Sequence, residues 1–200
     1  MLKLYEYAPS GNCYKIRLLL TQLEIPFERI QVDILKGETR TPEFIQKNPN
    51  GKIPLLEIEP GKYLPESNAV LYYLSQNTPF FPTDTFKQAQ IMQWMFFEQY
   101  SHEPNIATSR YWISVLGKAE EYQQALEQKK KLGNQALGVM EQHLKHHSFF
   151  VGEVYTIADI CLFAYTHVAD EGGFDLTQFP AIQAWIQRVQ SQPEHLTIMQ

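Results

Sequence analysis

The hydrophobic periodicity of this chain changes near residue 77, and this change constrains the fold more than any other feature. Apolar residues alternate with other residues over 2–4, recur at helical intervals over 16–23 and alternate again over 30–34. This order predicts a strand, a helix and a second strand. Such a unit forms a parallel strand pair with a right-handed crossover.

The rest of the first part predicts a hairpin and another helix. A loop-and-turn region rich in Thr, Pro, Asn and Gly covers residues 37–51. Two short apolar runs then flank Glu59-Pro60-Gly61, which is typical of a turn between strands. Ser67 is predicted to cap the next helix. The predicted order over residues 1–77 is β-α-β-loop-β-β-α, an α/β domain.

From residue 78 onward the sequence indicates a linker and then helices alone. Residues 78–85 contain two prolines and show no periodicity, so we assign them to a linker. Residues 86–200 are predicted to form an all-α domain, with no proline between Pro104 and Pro180. Thr156-Ile-Ala-Asp159 resembles a helix capping box, which gives Asp159 a role in folding rather than in catalysis.

Charge and hydropathy exclude several classes of partner. The chain has 200 residues, 17 Lys plus Arg against 22 Asp plus Glu, and a net charge of −5. No basic cluster stands out beyond Lys129-Lys130-Lys131, which is typical of a solvated helix face, so we expect no nucleic-acid partner. The N-terminus has no signal-peptide pattern, and the longest later apolar run, 160–165, is too short to span a bilayer. With only two cysteines, we expect a soluble cytoplasmic protein without a disulfide framework and without a membrane partner.

Four motifs, taken in order, resemble the cytosolic glutathione S-transferases over essentially the whole chain. They are Ser10-Gly-Asn-Cys13 after the first strand, Asn48-Pro-Asn-Gly-Lys-Ile-Pro54, Pro65-Glu-Ser-Asn-Ala69, and Gly152 to Asp159 with the later Phe179 to Trp185 run. Each is weak alone, but their order and spacing are specific. The likeness is greatest to bacterial members near the theta, zeta and nu-like groups. It implies a thioredoxin-like glutathione-binding domain followed by a helical domain.

The first motif suggests how such a protein works. In thioredoxin-like folds the first position of C-x-x-C lies at an exposed helix N-terminus, which favours a thiolate. Ser10 occupies that position here. The resemblance implies that its hydroxyl donates to the thiolate of bound glutathione, while Cys13 faces inward and is inert. One hydrogen bond to a charged acceptor, worth roughly 1.5–3 kcal/mol, lowers a thiol pKa by about one to two units.

The resemblance also assigns the remaining glutathione contacts. It implies a cis bond between Ile53 and Pro54, which leaves the Ile53 backbone able to pair with the cysteinyl backbone of glutathione. Ser67 and the helix start receive the γ-glutamyl carboxylate, and Glu66 meets the ligand ammonium. Lys52 is placed near the glycyl carboxylate, with Lys36 and Arg40 as alternatives. Asn12 is a candidate second donor near the sulfur, although asparagine also suits turns for its tolerance of unusual dihedral angles.

A tyrosine is the main alternative to Ser10. Several classes of the family use a tyrosine near the end of the first strand, and Tyr5 and Tyr7 lie there. Counting back from Lys15-Ile-Arg17 places Glu6 at that position, and a one-residue loop difference would bring in Tyr7. Ser10 needs no gap and is preferred. Without a functional role, both tyrosines would be half-buried strand residues.

Aromatic side chains suggest the place of the second substrate. We assign to this pocket, by composition and resemblance, Tyr7, Trp94, Phe97, Tyr100, Tyr111 and Trp112. His143, His146 and His147 have a metal-like spacing but no nearby carboxylate pair, so we predict solvent-facing histidines and no metal. No cofactor is expected, since glutathione is a co-substrate.

The resemblance therefore implies a glutathione transferase that joins the thiolate of glutathione to a small hydrophobic electrophile in detoxification. It also implies a homodimer. Two alternatives stay open: a glutathione-dependent disulfide or peroxide reductase, as in nu-like relatives, and a non-catalytic binding protein that kept the fold.

Overall fold

The computed structural model describes all 200 residues, which form two compact units. The first comprises Met1–Gln76 together with Pro193–Gln200, and the second comprises Asn77–Gln192. No helix is both long enough and apolar enough to cross a membrane.

The first unit is a four-stranded mixed sheet with helices. Its elements are β1 (Leu2–Glu6), α1 (Gly11–Gln22), β2 (Phe27–Gln31), α2 (Pro42–Lys47), β3 (Leu55–Glu59), β4 (Lys62–Pro65) and α3 (Ser67–Ser75). The strand order is β2-β1-β3-β4; β1 and β2 are parallel, whereas the other two pairs are antiparallel. The predicted order of strands and helices, β-α-β-loop-β-β-α, is confirmed, except that the loop contains α2.

Two details of the first unit differ from the sequence prediction. The strand predicted over 30–34 is β2 at Phe27–Gln31, and Ile34 begins a short 3₁₀ turn instead. The predicted loop over 37–51 contains α2, in which Thr41 accepts from the Phe44 amide at 3.3 Å. Pro42 at the first helical position favours this start, because its fixed φ suits a helix.

The core of the first unit joins the sheet to α1 and α3. Leu4 and Leu56 from neighbouring strands pack with Ile16 and Leu20 of α1 and with Val70 of α3. All five side chains are fully buried. Since α1 also packs against α3, the two helix starts are held by one continuous apolar cluster.

The segment 193–200 packs on the first unit, whereas the sequence prediction placed it in the helical domain. The Tyr14 hydroxyl donates to the Leu196 carbonyl at 2.7 Å, and Gln22 donates to the Pro193 carbonyl at 3.3 Å. Arg17 donates to the Ile198 carbonyl. Long-range hydrogen bonds of this kind leave no local sequence signal.

The second unit is helical, as predicted. Its helices are α4 (Thr85–Phe97), α5 (Glu103–Arg110), α6 (Gln123–Leu144), α7 (Ile157–Thr166) and α8 (Pro180–Gln190). Single π-helical turns, Glu98–His102 and Tyr111–Val115, follow α4 and α5. All ten residues of α7 are buried, so this helix forms the centre of the unit.

The capping box predicted at the start of α7 is confirmed. The Asp159 carboxylate accepts hydrogen bonds from the Thr156 amide at 2.9 Å, the Phe150 amide at 3.1 Å and Trp185 Nε1 at 3.0 Å. Burial raises the pKa of Asp159 to about 6, although these donors oppose the rise. One carboxylate thus joins the helix start to the preceding turn and to α8.

Candidate functional site

The start of α1 is capped by Ser10 and carries no acidic residue of its own. Ser10 has extended backbone angles, its amide donates to the Tyr7 carbonyl at 2.9 Å, and its half-buried Oγ accepts from the Cys13 amide at 3.4 Å. The first turn of α1 contains no acidic residue. Because a helix N-terminus carries partial positive charge, this arrangement suits a bound thiolate.

Cys13 is unsuited to nucleophilic chemistry. Its side chain is fully buried in the first turn of α1, which agrees with the expectation that it faces inward. Burial raises its pKa to about 12, even though hydrogen bonds near Ser10 and Tyr7 favour the thiolate. Only the thiolate is a good nucleophile, so Cys13 is an inert thiol at neutral pH.

The two N-terminal tyrosines have different surroundings. Tyr5 lies within β1, and its hydroxyl donates to Glu57 Oε2 at 3.0 Å. Burial and the neighbouring Glu57 carboxylate raise the pKa of Tyr5 far above its usual value. Tyr7 lies one residue beyond β1 and is half-buried. The Tyr5 hydroxyl is therefore already used in a hydrogen bond within the sheet, whereas Tyr7 lies next to the turn that holds Ser10.

The Ile53–Pro54 bond is cis, as the resemblance implied. Pro54 is buried and Ile53 is half-buried just before β3. The loop before them is held by Asn48, whose side chain donates to the Lys52 carbonyl at 2.8 Å. This places the Ile53 backbone at the N-terminal end of β3.

None of the three basic residues predicted to bind the glycyl carboxylate stands out in the structure. Lys52 is exposed. Lys36 forms an exposed ion pair with Asp33 at 3.2 Å, and Arg40 donates to the Asn50 carbonyl at 3.2 Å.

The prediction that Ser67 caps α3 is wrong. Glu66 is the capping residue, with φ at 70°, and Ser67 is the first helical residue. Glu66 is exposed and Ser67 is buried. A positive φ is unusual for glutamate and such strain clusters at functional sites, so the start of α3 is a notable position.

The structure brings the starts of α1 and α3 into contact. The Ser67 hydroxyl donates to Asn12 Oδ1 at 3.3 Å, across 55 residues of sequence. Lys15 reaches the same place, with its Nζ 3.4 Å from Ser67 Oγ and 3.3 Å from Asn68 Oδ1. Asn12 and Ser67, predicted separately as glutathione contacts, therefore belong to one hydrogen-bonded group.

Sequence reasoning missed the buried charges of α1. Lys15 is 0% exposed and Arg17 is 1% exposed. Arg17 and Arg29 both form ion pairs with the fully buried Glu6 carboxylate, and Arg17 also donates to the Ala8 carbonyl at 3.0 Å. Residues two apart on a helix point in nearly opposite directions, about 200° apart. The spacing of Lys15 and Arg17 therefore already indicated that they could not both lie on one solvent-exposed face of α1.

The predicted second-substrate residues do not form one group. Phe97 and Tyr100 line a cavity of about 470 Å³ in the second unit, together with Pro104 of α5 and with Leu132 and Val139 of α6. Tyr100 lies on the π-helical turn after α4 and is 89% exposed. Such turns are frequent at functional sites.

The other predicted pocket residues lie elsewhere. Trp94 is buried between Phe97 and Phe150. Tyr111 and Trp112 lie on the second π-helical turn, where Trp112 stacks on Tyr122 at 4.4 Å between ring centroids. Tyr7 belongs to the first unit.

His143 is half-buried, whereas the prediction placed it facing solvent. Its ring is 4.9 Å from that of Trp94 and stacks on Phe150 at 5.6 Å, between centroids. Burial, and then the neighbouring His147, hold the pKa of His143 below its usual value. His147 itself is exposed. No group of three His, Cys, Asp or Glu residues is close enough to hold a metal ion.

Family models match both units of the chain. The model for "Glutathione S-transferase, N-terminal domain" matches residues 1–76, and the model for "Glutathione S-transferase, C-terminal domain" matches residues 89–193. The chain belongs to the glutathione S-transferase family. The family predicted from the four motifs is therefore confirmed.

Individual relatives belong to the same family or resemble it in sequence and structure. A crystal structure of a glutathione S-transferase from Pseudomonas fluorescens is 52% identical, with a TM-score of 0.98, and the match covers 100% of this chain and 99% of that one. The disulfide-bond oxidoreductase YfcG of Escherichia coli is 30% identical over 96% of this chain and 92% of its own.

A third relative carries its ligand. It is a glutathione transferase family member from Pseudomonas fluorescens with two glutathione molecules bound, 26% identical, with a TM-score of 0.84 over 96% of this chain and 89% of that one.

Proposed function

We propose that this protein is a glutathione transferase in which Ser10 stabilises the thiolate of bound glutathione. The observation that carries the proposal is the open start of α1, where Ser10 precedes a first turn without acidic residues. Cys13 cannot compete as a nucleophile, since burial raises its pKa to about 12. The chain therefore activates a thiol that the ligand brings.

The reaction that follows is a nucleophilic transfer. The Ser10 hydroxyl donates to the glutathione sulfur, and the thiol proton leaves to water. The thiolate then forms a carbon–sulfur bond to a hydrophobic electrophile, whose leaving group departs with the electron pair. No cofactor or metal takes part. This chemistry suits detoxification of small apolar compounds.

The remaining glutathione contacts follow the family resemblance. The Ile53 backbone pairs with the cysteinyl backbone, Ser67 receives the γ-glutamyl carboxylate and Glu66 meets the ammonium. Lys52 meets the glycyl carboxylate, and Asn12 gives a second donor to the sulfur. The contact between Asn12 and Ser67 supports a single binding site, because it joins a residue of the sulfur end to one of the γ-glutamyl end.

The test is Ser10→Ala. Glutathione is titrated against the unsubstituted protein and the variant, and thiolate is read by ultraviolet absorbance, alongside turnover of a chlorinated aromatic acceptor at pH 6.5. We expect the pKa of the bound thiol to rise by about one to two units and the rate to fall about tenfold to hundredfold.

Thr41→Ala is the matched control, because Thr41 caps α2 of the same unit in the same manner. Its loss costs similar stability, about 1 kcal/mol, and leaves the thiol pKa unchanged. Equal rates in Ser10→Ala and the unsubstituted protein would move the role to Tyr7 or Asn12.

The electrophile is assigned to the aromatic cavity of the second unit, which Phe97 and Tyr100 line. Tyr100→Ala should raise the KM for the electrophile several-fold, on the order of the loss of one aromatic contact, without changing the KM for glutathione.

We also propose a homodimer. Its support is the exposure of large apolar side chains in the single chain, among them Phe86 at 72%, Phe96 at 65% and Tyr100 at 89%. Analytical ultracentrifugation gives the mass directly. A Tyr100→Ala protein with halved mass would assign Tyr100 to the subunit interface instead of the electrophile site.

Disulfide reduction is a second candidate function, favoured by the likeness to a disulfide-bond oxidoreductase and to a family member with two glutathione molecules bound. One glutathione thiolate attacks the substrate disulfide and releases a thiolate. A second glutathione then resolves the mixed disulfide, which yields glutathione disulfide and a thiol. Turnover of a mixed disulfide, without turnover of the aromatic acceptor, would favour this function. Binding of glutathione with neither activity would favour a binding protein.

A further inference from the structure

The most unusual side chain of the first unit is a lysine with no exposure to solvent. Lys15 lies in α1 at 0% exposure, and charged lysines are rarely fully buried unless held by polar partners. Its ammonium lies 3.4 Å from Ser67 Oγ and 3.3 Å from Asn68 Oδ1, at the first turn of α3. The Lys15 side-chain nitrogen is therefore fixed beneath the start of that helix.

The chemistry of these groups sets the direction of their hydrogen bonds. An ammonium only donates, so Ser67 Oγ accepts from Lys15. The single Ser67 hydroxyl proton is then given to Asn12 Oδ1, at 3.3 Å. The amide nitrogen of Asn12 consequently lies on the side away from Ser67. One chain of donors, Lys15 to Ser67 to Asn12, fixes the orientation of two other side chains.

We propose that Lys15 is a positioning residue of the glutathione site, an inference that rests on the proposed function. Its ammonium holds the Ser67 and Asn12 side chains in place and adds positive charge beneath the start of α3, where the backbone receives the γ-glutamyl carboxylate. Lys15 stays behind Ser67 and touches no reacting atom. Its loss therefore weakens recognition of one carboxylate more than it weakens any other contact.

The first test compares two ligands on Lys15→Met, which keeps an unbranched side chain one atom shorter and removes its amine. The dissociation constants are measured for glutathione and for an analogue whose γ-glutamyl α-carboxylate is an amide. We expect glutathione to bind about tenfold more weakly to the variant, and the amide analogue to change by less than about twofold. A purely structural role would weaken both ligands equally, and that result overturns the proposal.

Lys62→Met is the matched control. It removes the same charge from the same unit, but the Lys62 side chain is 62% exposed and pairs only at the surface with Glu59. Exposed pairs contribute little, so binding of both ligands should stay unchanged. A loss of glutathione affinity in Lys62→Met equal to that in Lys15→Met would show a general charge effect and would overturn the proposal.

The second test uses the unsubstituted protein and so does not depend on a folded variant. Lysine labelled with ¹⁵N at Nζ is observed by NMR during titration with each ligand. The Lys15 ammonium signal should shift with glutathione and stay in place with the amide analogue. A signal that stays in place while glutathione binds overturns the proposal and leaves the proposed function intact. Failure of the protein to bind glutathione overturns both.

Discussion

The helices α1 and α7 are both capped by a hydroxyl residue, yet only at α7 does a buried carboxylate complete the cap. At α7, Thr156 is followed at the third helical position by Asp159, whose buried carboxylate accepts from two backbone amides and from Trp185. At α1, Ser10 is followed at that position by Cys13, and the first turn has no acid. The comparison teaches that a hydroxyl cap has two settings in this chain: at α7 a carboxylate of the chain completes it, whereas at α1 the chain supplies no carboxylate.

The largest expected effect follows from removing the carboxylate that completes the cap of α7. Asp159→Ala removes the acceptor of the Phe150 and Thr156 amides and of Trp185 Nε1, and leaves these buried donors unsatisfied. We expect the free energy of unfolding to fall by about 4 kcal/mol, measured by urea denaturation.

Asp175→Ala is the control, because Asp175 caps an exposed 3₁₀ turn of the same unit. Its loss should lower the free energy of unfolding far less than the loss of Asp159 does, because Asp175 is exposed to solvent. Equal losses in the two variants would contradict the structural importance given to burial at α7.

The next effect concerns pH. Burial raises the pKa of Asp159 to about 6, so the folded protein binds this proton more tightly than the unfolded chain does. The contribution of Asp159 to stability is therefore greatest below about pH 4. It falls by about 3 kcal/mol in total as the pH rises from about 4 to above 6. The measurement is the difference in unfolding free energy between the unsubstituted protein and Asp159→Asn from pH 4 to 7.

The exposed Asp175 should show the opposite slope. Hydrogen bonds from Thr177 and Gln178 lower its pKa, so its contribution is present at neutral pH and is lost on acidification. The stabilisation that Asp159 provides over Asp159→Asn could instead increase with pH, as we expect for Asp175. In that case burial would not be the main cause of the pKa of Asp159.

A third prediction concerns a variant that adds a carboxylate to the start of α1. Asn12→Asp keeps an oxygen for Ser67 and adds a negative charge to the first turn of α1. This charge favours the helix by up to about 1 kcal/mol but opposes a thiolate, so the pKa of bound glutathione should rise by about one unit and turnover at pH 6.5 fall about tenfold.

Thr85→Asp adds the same charge to the exposed start of α4 and serves as the control, with no expected change in turnover. Asn12→Asp with unchanged turnover would show that the α1 start does not hold the sulfur.

The smallest expected effect is at Cys13. Its buried thiol has a pKa of about 12, and Cys161 is buried as well. An aromatic disulfide reagent should therefore modify neither cysteine in the folded protein and leave turnover unchanged, while denaturant releases both thiols. Rapid modification of the native protein with loss of activity would move the chemistry from Ser10 towards Cys13.

The sequence predicted those parts of the fold that depend on local signals. The strand and helix order followed from periodicity, and the α7 capping box followed from residues three apart. The helix α2 was missed although Thr41 and Pro42 mark its start, because the surrounding residues are typical of loops. Ser67 was misassigned as a cap because the positive φ of Glu66 shifts the start of α3 by one residue.

The parts that could not be predicted depend on distant residues. Lys15 reads as a surface residue in the sequence, and its buried position requires partners about fifty residues away at α3. His143 was predicted to face solvent, but Trp94 and Phe150 cover it from elements that periodicity does not bring together. Candidate ligand contacts were therefore easier to name than the groups that hold them.

The packing of residues 193–200 on the first unit has a consequence for biosynthesis. A ribosome completes residues 1–76 early, but Tyr14 and Arg17 must wait for carbonyl partners that emerge only after the whole second unit has been made. The first unit can therefore complete these contacts only after the second unit has been translated, because their carbonyl partners are encoded more than a hundred codons downstream of residue 76.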